Sequence, residues 1–260
     1  MREKFIYLKF LNYILVLICV VNCNKHKENS VVKPEIVQIK KDTIPDFSKY
    51  ITKEYVLGKF DYTKDSSFVL IPAEATSKTI YLRKEVWNGF NTMQIAATKD
   101  SVSFTIISGT RNFEHQKRIW NYKWNEKYKN IPPEKRALKI LEYSSMPSTS
   151  RHHWGTDIDL NNLNNDYFSE GKGLKEYNWL VENASKFGFY QPYTTKENGR
   201  TGYYEEKWHW SYLPLSSIYL NYYNQHITYK DITDFEGSAF AKEIDIIKNY
   251  VNGINPELNK

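Results

Sequence analysis

Residues 150–159 read Ser150-Arg151-His152-His153-Trp154-Gly155-Thr156-Asp157-Ile158-Asp159. With Leu160 added, Ile158 and Leu160 alternate with Asp157 and Asp159, the period of a strand with one polar face. His152 and Asp159 are seven positions apart, and along one uninterrupted strand an odd separation sends side chains to opposite faces. They converge only if the chain turns between them, and Gly155 is where a turn costs least. A turn-borne imidazole and a strand-borne carboxylate then meet beside a small sheet. His153 neighbours His152, and Asp157 shares a strand face with Asp159. The pattern by itself therefore also admits the pair His153 and Asp157, or simply an exposed His-His pair ahead of an edge strand.

Two further segments add chemistry. Glu206-Lys207-Trp208-His209 brings a second carboxylate and a second imidazole within reach of one ion. Trp208 and Trp210 flank that imidazole as a rigid apolar wall and serve as core aromatics as well. Ser108-Gly109-Thr110-Arg111 places a guanidinium just past an apolar run. There it pairs with a structural carboxylate or receives negative charge from a substrate. Each segment alone is a weak signal. Together they supply the inventory of a zinc hydrolase: three ligands with an open fourth position, a general base and a cation.

Working outward, Leu82, Val86, Phe90, Met93 and Ala97 repeat at helical spacing and predict an amphipathic helix over residues 79–98. Phe104-Thr105-Ile106-Ile107 predicts a buried strand ending at Ser108-Gly109. Asn112 is placed to cap a helix running through Trp120 and Trp124. Pro132-Pro133-Glu134 opens another helix, which stops before Pro147. Residues 174–187 read as helix, with Tyr177, Leu180, Ala184 and Phe187 on one stripe and Gly188 just past the end. Residues 208–212 read as a strand ending near Pro214, and a last helix is expected over residues 240–251, before Gly253. The fold class is α+β: a small, mainly antiparallel sheet that carries the polar site, packed by helices.

A chain of 260 residues accommodates one domain with a leader. Its 36 Lys and Arg against 30 Asp and Glu give a net charge of +6, without a concentrated basic stripe, so no nucleic-acid partner is expected. The excess reads as a solvated lysine-rich surface or a weak preference for an anionic wall or lipid. Arg2, Lys4 and Lys9 precede an apolar run over residues 10–21 and a polar exit at Asn22-Cys23-Asn24-Lys25, the layout of a secretory signal. That run is short for a transmembrane helix, which needs about 20 residues. Both cysteines, Cys19 and Cys23, fall in this leader, which excludes a disulfide framework or a thiolate metal site in the rest. Cys23 suggests lipidation, although Asn22 replaces the usual small residue; cleaved secretion and an uncleaved anchor are the alternatives. The organisation read is a leader over 1–23, a polar tether over 24–45 and one catalytic domain over 46–260.

Ser150-x-His152-x-x-Gly155-x-x-x-Asp159 followed by Glu206-x-Trp208-His209 resembles the zinc D-alanyl-D-alanine carboxypeptidase family. That family includes the vancomycin-resistance D,D-carboxypeptidases and D,D-dipeptidases, and is related in fold to lysostaphin-type peptidases and the hedgehog signalling domain. Ser108-Gly109-Thr110-Arg111 followed by Gln116 resembles its upstream segment, so the likeness runs over residues 105–212 in the family's order. The resemblance implies a hedgehog/D,D-peptidase-like fold with one Zn2+ per chain on His152, Asp159 and His209. It implies Glu206 as catalytic base, Arg111 as transition-state arginine, and Ser150 and Gln116 as substrate contacts. Asp157 departs from it, standing where the family has a small residue. The implied protein is an exported bacterial D,D-carboxypeptidase, a monomer, periplasmic or at the cell surface. It would act on peptidoglycan stem peptides and be held at the membrane by a lipid or N-terminal anchor. An endopeptidase or L,D-carboxypeptidase with the same site is the alternative. A non-catalytic zinc-binding module and a metal-free structural lipoprotein rank below these.

Overall fold

Residues 51–259 are described by the computed structural model, so the expectations for the leader, the tether and Cys23 lie outside the described residues. The described chain starts with a single helical turn, α1 (Lys53–Val56), and a strand, β1 (Phe68–Leu70). It continues through β2 (Tyr81–Arg83), α2 (Lys84–Lys99) and β3 (Ile106–Ser108). Next come α3 (Phe113–Tyr122), extended by a π-helical turn over Lys123–Lys127, and α4 (Pro133–Ile140). A 3-10 turn (Arg151–Trp154) leads into β4 (Asp157–Leu160), then α5 (Gly171–Asn183) and β5 (Phe189–Tyr190). The described chain ends with β6 (His209–Tyr212), α6 (Leu213–His226), α7 (Phe240–Glu243) and two short turns, π-helical over Ile247–Val251 and 3-10 over Pro256–Asn259.

Four strands form one sheet in the order β3-β4-β6-β5, and β1 pairs with β2 separately; every pairing is antiparallel. The α+β class expected from the sequence is the class observed. Register decides what the sheet presents. Ile158 lies opposite Trp210, and both join Phe90, Met93, Trp179 and Leu180 in an apolar cluster with α2 and α5. On the other face Asp159 lies opposite His209 and Asp157 opposite Ser211. Directly opposed residues have Cβ atoms about 5 Å apart, so strand pairing alone brings a carboxylate to an imidazole. This polar face is not solvated, because all four β4 residues are buried. A second apolar cluster joins Val56, Trp120, Trp154, Tyr219, Tyr223 and Ile246.

Gly155 ends the 3-10 turn with φ +71°, a conformation L residues rarely take. A Cβ there would sit 2.4 Å from Phe68 Cε1, so both the backbone and its neighbour require glycine. The turn therefore reverses the chain at the point expected, and returns His152 to the face that carries Asp159.

Two local expectations need correction. The helix expected from residue 79 starts at Lys84, because Tyr81–Arg83 pairs with β1 instead. Val86, Phe90, Met93 and Ala97 keep their buried stripe, and Leu82 matched it only because a buried strand residue is equally apolar. The last helix is broken: α7 ends at Glu243, Asp245 has φ +52°, which no α-helix accommodates, and a π-helical turn follows over Ile247–Val251. The strand expected over 208–212 does end near Pro214: β6 stops at Tyr212, and Pro214 lies in the first turn of α6, where its missing N–H costs nothing. Asn112 caps α3 as expected, its side chain accepting from the His115 N–H at 2.9 Å. No helix among the described residues is long and apolar enough to cross a membrane.

Candidate metal centre and cleft

His152 reaches the site from the 3-10 turn, Asp159 from β4 and His209 from the facing position of β6. One donor atom from each lies within 4.8 Å of the others, and all three side chains are buried. His152 donates its Nδ1–H to the Gly109 carbonyl at 2.8 Å, which leaves Nε2 as its lone-pair nitrogen, 3.4 Å from Asp159 Oδ2. His209 places Nδ1 3.3 Å from Asp159 Oδ1 and 3.2 Å from Glu206 Oε2. His152 Nε2 and Asp159 Oδ1 are buried with no hydrogen-bond partner among the described residues. Interiors rarely tolerate such orphans, and an ion between them would satisfy both. Two imidazoles, one carboxylate and an adjoining carboxylate fit a divalent metal with nitrogen and oxygen ligands.

His153 is engaged elsewhere. Its Nδ1–H donates to the Arg111 carbonyl at 2.6 Å and its Nε2 accepts from the Ser148 N–H at 3.1 Å, so neither nitrogen is available to an ion. Burial pushes this imidazole down to about 3, keeping it neutral. It acts as a clamp on the Arg111 backbone, whose N–H also donates to the His152 carbonyl at 3.1 Å.

Electrostatics separate the other groups. Burial, then Arg111, push His152 down toward its neutral form. Burial opposes the charge on Asp159, yet His152, His209 and Arg111 hold it at about 2. Burial would likewise lower His209, but hydrogen bonds to Asp157 and Glu206 and the charge of Asp159 push it up to about 9. Glu206 is raised, chiefly by burial.

A cleft of about 280 Å³ opens over the cluster, and Arg111, Gln116, Ser150, Lys123 and Glu206 line it. Gln116 donates to the Ser145 carbonyl at 2.8 Å while its Oε1 is buried without a partner, and Ser150 Oγ is equally unpartnered among the described residues. Both residues expected as substrate contacts line the cleft, and each has a buried polar atom without a partner among the described residues.

Three residues that line the cleft, Lys123, Arg151 and Tyr193, were given no role from the sequence. Lys123 lines the cleft and is hydrogen-bonded to Ser144, with burial and the nearby Lys127 and Arg111 charges pushing its amine down to about 8. It lies seven residues after Gln116, two helical turns along the same stripe, and that spacing was the available signal. The Tyr193 ring stands 4.8 Å from that of His209, edge to face. Arg151 and Asp157 form a wholly buried ion pair at 3.0 Å. Removing one partner of such a pair costs about 3–5 kcal/mol, since the other charge is left stranded.

A buried His-Asp-His cluster beside a carboxylate and a guanidinium, next to an antiparallel sheet, has the donor set of a divalent-metal site with an open position. A family model described as VanY: D-alanyl-D-alanine carboxypeptidase matches residues 79–215, from just before β2 into α6, with all of these side chains inside the match. The chain belongs to this family. It is 31% identical over 182 residues to a D-alanyl-D-alanine carboxypeptidase of Enterococcus faecium, covering 69% of this chain and 51% of that protein. A D-alanyl-D-alanine carboxypeptidase of Enterococcus faecalis is 30% identical over 126 residues, covering 47% of this chain and 44% of that protein. The chain spans about half the length of the curated relatives it matches. Among solved structures, VanYB in complex with D-alanine-D-alanine superposes with a TM-score of 0.48 at 24% identity, over 65% of this chain and 93% of that one.

Proposed function

We propose that the chain is a zinc-dependent D-alanyl-D-alanine carboxypeptidase that trims peptidoglycan stem peptides. Family membership and the two enterococcal carboxypeptidases support the substrate class. One observation carries the choice of a carboxypeptidase over an enzyme that cuts within a chain. Arg111 and Lys123 line the same cleft as the His-Asp-His cluster, and neither forms an ion pair among the described residues. A peptide cut next to its C-terminus brings a carboxylate to those cations, whereas an internal bond brings no charge.

His152, Asp159 and His209 would hold the zinc. When bound, the ion supplies a Lewis acid that polarises the scissile carbonyl and acidifies a water. Glu206 takes the proton of the attacking water and returns it to the leaving amine. Its raised proton affinity, set by burial, suits both steps better than an exposed carboxylate would. Arg111 receives the developing oxyanion, and Lys123 holds the terminal carboxylate. Gln116 Oε1 and Ser150 Oγ, both without partners, are available to orient the peptide.

The test incubates the zinc-loaded chain with a muropeptide pentapeptide ending in D-Ala-D-Ala and follows products by mass spectrometry. Loss of one alanine is the expected result. An intact pentapeptide, with cleavage confined to a tetrapeptide or to cross-linked material, overturns the D,D-carboxypeptidase reading in favour of an L,D-carboxypeptidase or endopeptidase.

We further propose that the enzyme is exported to the periplasm or cell surface and held there by a lipid on Cys23 or by its N-terminal segment. The charged, apolar and polar blocks of residues 1–25 support this reading. Cell fractionation should find the full chain with the membrane, and Cys23→Ser should release it if the anchor is the lipid. A chain confined to the cytoplasm would overturn export.

A further inference from the structure

We propose that Asp157 is a positioning residue for His209, locking its imidazole in the tautomer that offers Nδ1 to the metal, and that Arg151 and Ser211 hold Asp157 in place for this purpose. The inference rests on reading His152, Asp159 and His209 as the metal ligands.

Asp157 is fully buried on the polar face of β4, two residues before Asp159. Its Oδ1 lies 2.9 Å from His209 Nε2 and 3.0 Å from Arg151 Nε, and its Oδ2 accepts from the Thr156 hydroxyl at 2.5 Å. Arg151 in turn donates from Nη2 to Ser211 Oγ at 2.7 Å, and its guanidinium lies 4.8 Å over the Trp154 ring. A carboxylate can only accept, so Nε2 keeps the proton shared with Asp157, and Nδ1 is the nitrogen left to give up its proton and offer a lone pair to a metal. That is the nitrogen facing Asp159 and Glu206.

The two imidazoles are therefore fixed by different means. His152 is oriented by a neutral backbone carbonyl, whereas His209 is oriented by an anion. An anionic acceptor makes an imidazole a more basic ligand than a carbonyl does. The pair also has a use that stability does not explain. A buried carboxylate and guanidinium roughly break even against apolar residues of similar size, so an Arg-Asp pair in this interior gains little by itself. Its location supplies the reason. Ser211 lies opposite Asp157, and His209 opposite Asp159, so the relay runs along the same strand register that builds the metal cluster. Asp157 is also the position at which the motif departs from the family pattern noted from sequence.

The test measures zinc affinity by competition with a chromophoric chelator, together with thermal stability. Three chains are compared: wild type, Asp157→Asn, and the double variant Arg151→Met/Asp157→Ala. The double variant removes both buried charges at once, so it strands neither. Its zinc affinity should fall about 10- to 100-fold, the loss typical when a ligand's orienting partner is removed. Asp157→Asn keeps an acceptor oxygen and should lose less. A double variant that melts near wild type yet binds zinc as tightly as wild type overturns the inference while leaving the metal site standing. A wild-type chain that binds no zinc overturns both. Should the double variant fail to fold, long-range 15N–1H spectra of zinc-loaded wild type decide the matter. A His209 ring protonated at Nε2 is expected, and one protonated at Nδ1 overturns the proposal.

Discussion

Glu206→Gln is expected to keep its metal and lose its turnover, with kcat falling about 10²- to 10⁴-fold, the usual contribution of a positioned general base. The substitution is nearly isosteric, and Glu206 is buried at the cleft floor without carrying packing for either apolar cluster. The fold should therefore survive. The prediction is sharp because Glu206 Oε2 lies 3.2 Å from His209 Nδ1, the nitrogen that also faces Asp159. A carboxylate so near could serve as a fourth ligand instead of a base. The two roles part on this variant. A base leaves zinc stoichiometry at one per chain when its proton affinity is removed, whereas a ligand takes the zinc with it. Zinc titration alongside kinetics on the pentapeptide reads both. Loss of zinc would make Glu206 a ligand, and an unchanged kcat would move the base elsewhere.

The parts of this molecule that were legible in sequence are those in which function and local periodicity coincide. Asp157-Ile158-Asp159-Leu160 alternates, so the strand and its polar face could be read directly. Gly155 marked the reversal, and the turn there requires φ +71°. Choosing His152 over His153 needed more than pattern. The distinction lies in which carbonyl each imidazole reaches, Gly109 or Arg111, and both carbonyls are more than 40 residues away in sequence. Asp157 was visible as an oddity, but its partner His209 is 52 residues on, joined only by strand pairing. Lys123 was hidden for a different reason. It sits just where α3 passes into a π-helical turn, and its one signal, a spacing of seven from Gln116, is weak among the other lysines of that helix. The misplaced start of α2 and the broken last helix share one cause. Apolar spacing reports burial, and burial is common to strand, helix and turn. Pairing of Tyr81–Arg83 with β1, and a positive φ at Asp245, are facts of tertiary structure.

Arg111→Ala is expected to lower kcat about 10²- to 10³-fold with little change in KM, the signature of a group that meets charge only in the transition state. Its backbone is held from two sides, by the His152 carbonyl through its own N–H and by His153 through its carbonyl. The guanidinium thus starts from a fixed base, while its buried Nε has no partner among the described residues. An unused, anchored donor at the edge of a metal cluster costs no reorganisation when negative charge develops. Lys123→Met provides the counterpart. Lys123 lines the same cleft, and if it holds the terminal carboxylate its loss removes binding felt equally by ground and transition states, raising KM while kcat stays near wild type. The two substitutions thus divide the work of the two cations along different kinetic axes. Steady-state kinetics on the pentapeptide, and on the same peptide with its C-terminus amidated, would measure that division. Wild type should discriminate against the amide, and Lys123→Met should not. Should Arg111→Ala instead raise KM and abolish that discrimination, the guanidinium is the carboxylate receiver and the oxyanion must be met by another group. The metal would then have to supply what Arg111 does not, and the loss on Glu206→Gln would stand unchanged, because proton transfer and charge stabilisation are separate demands on the site.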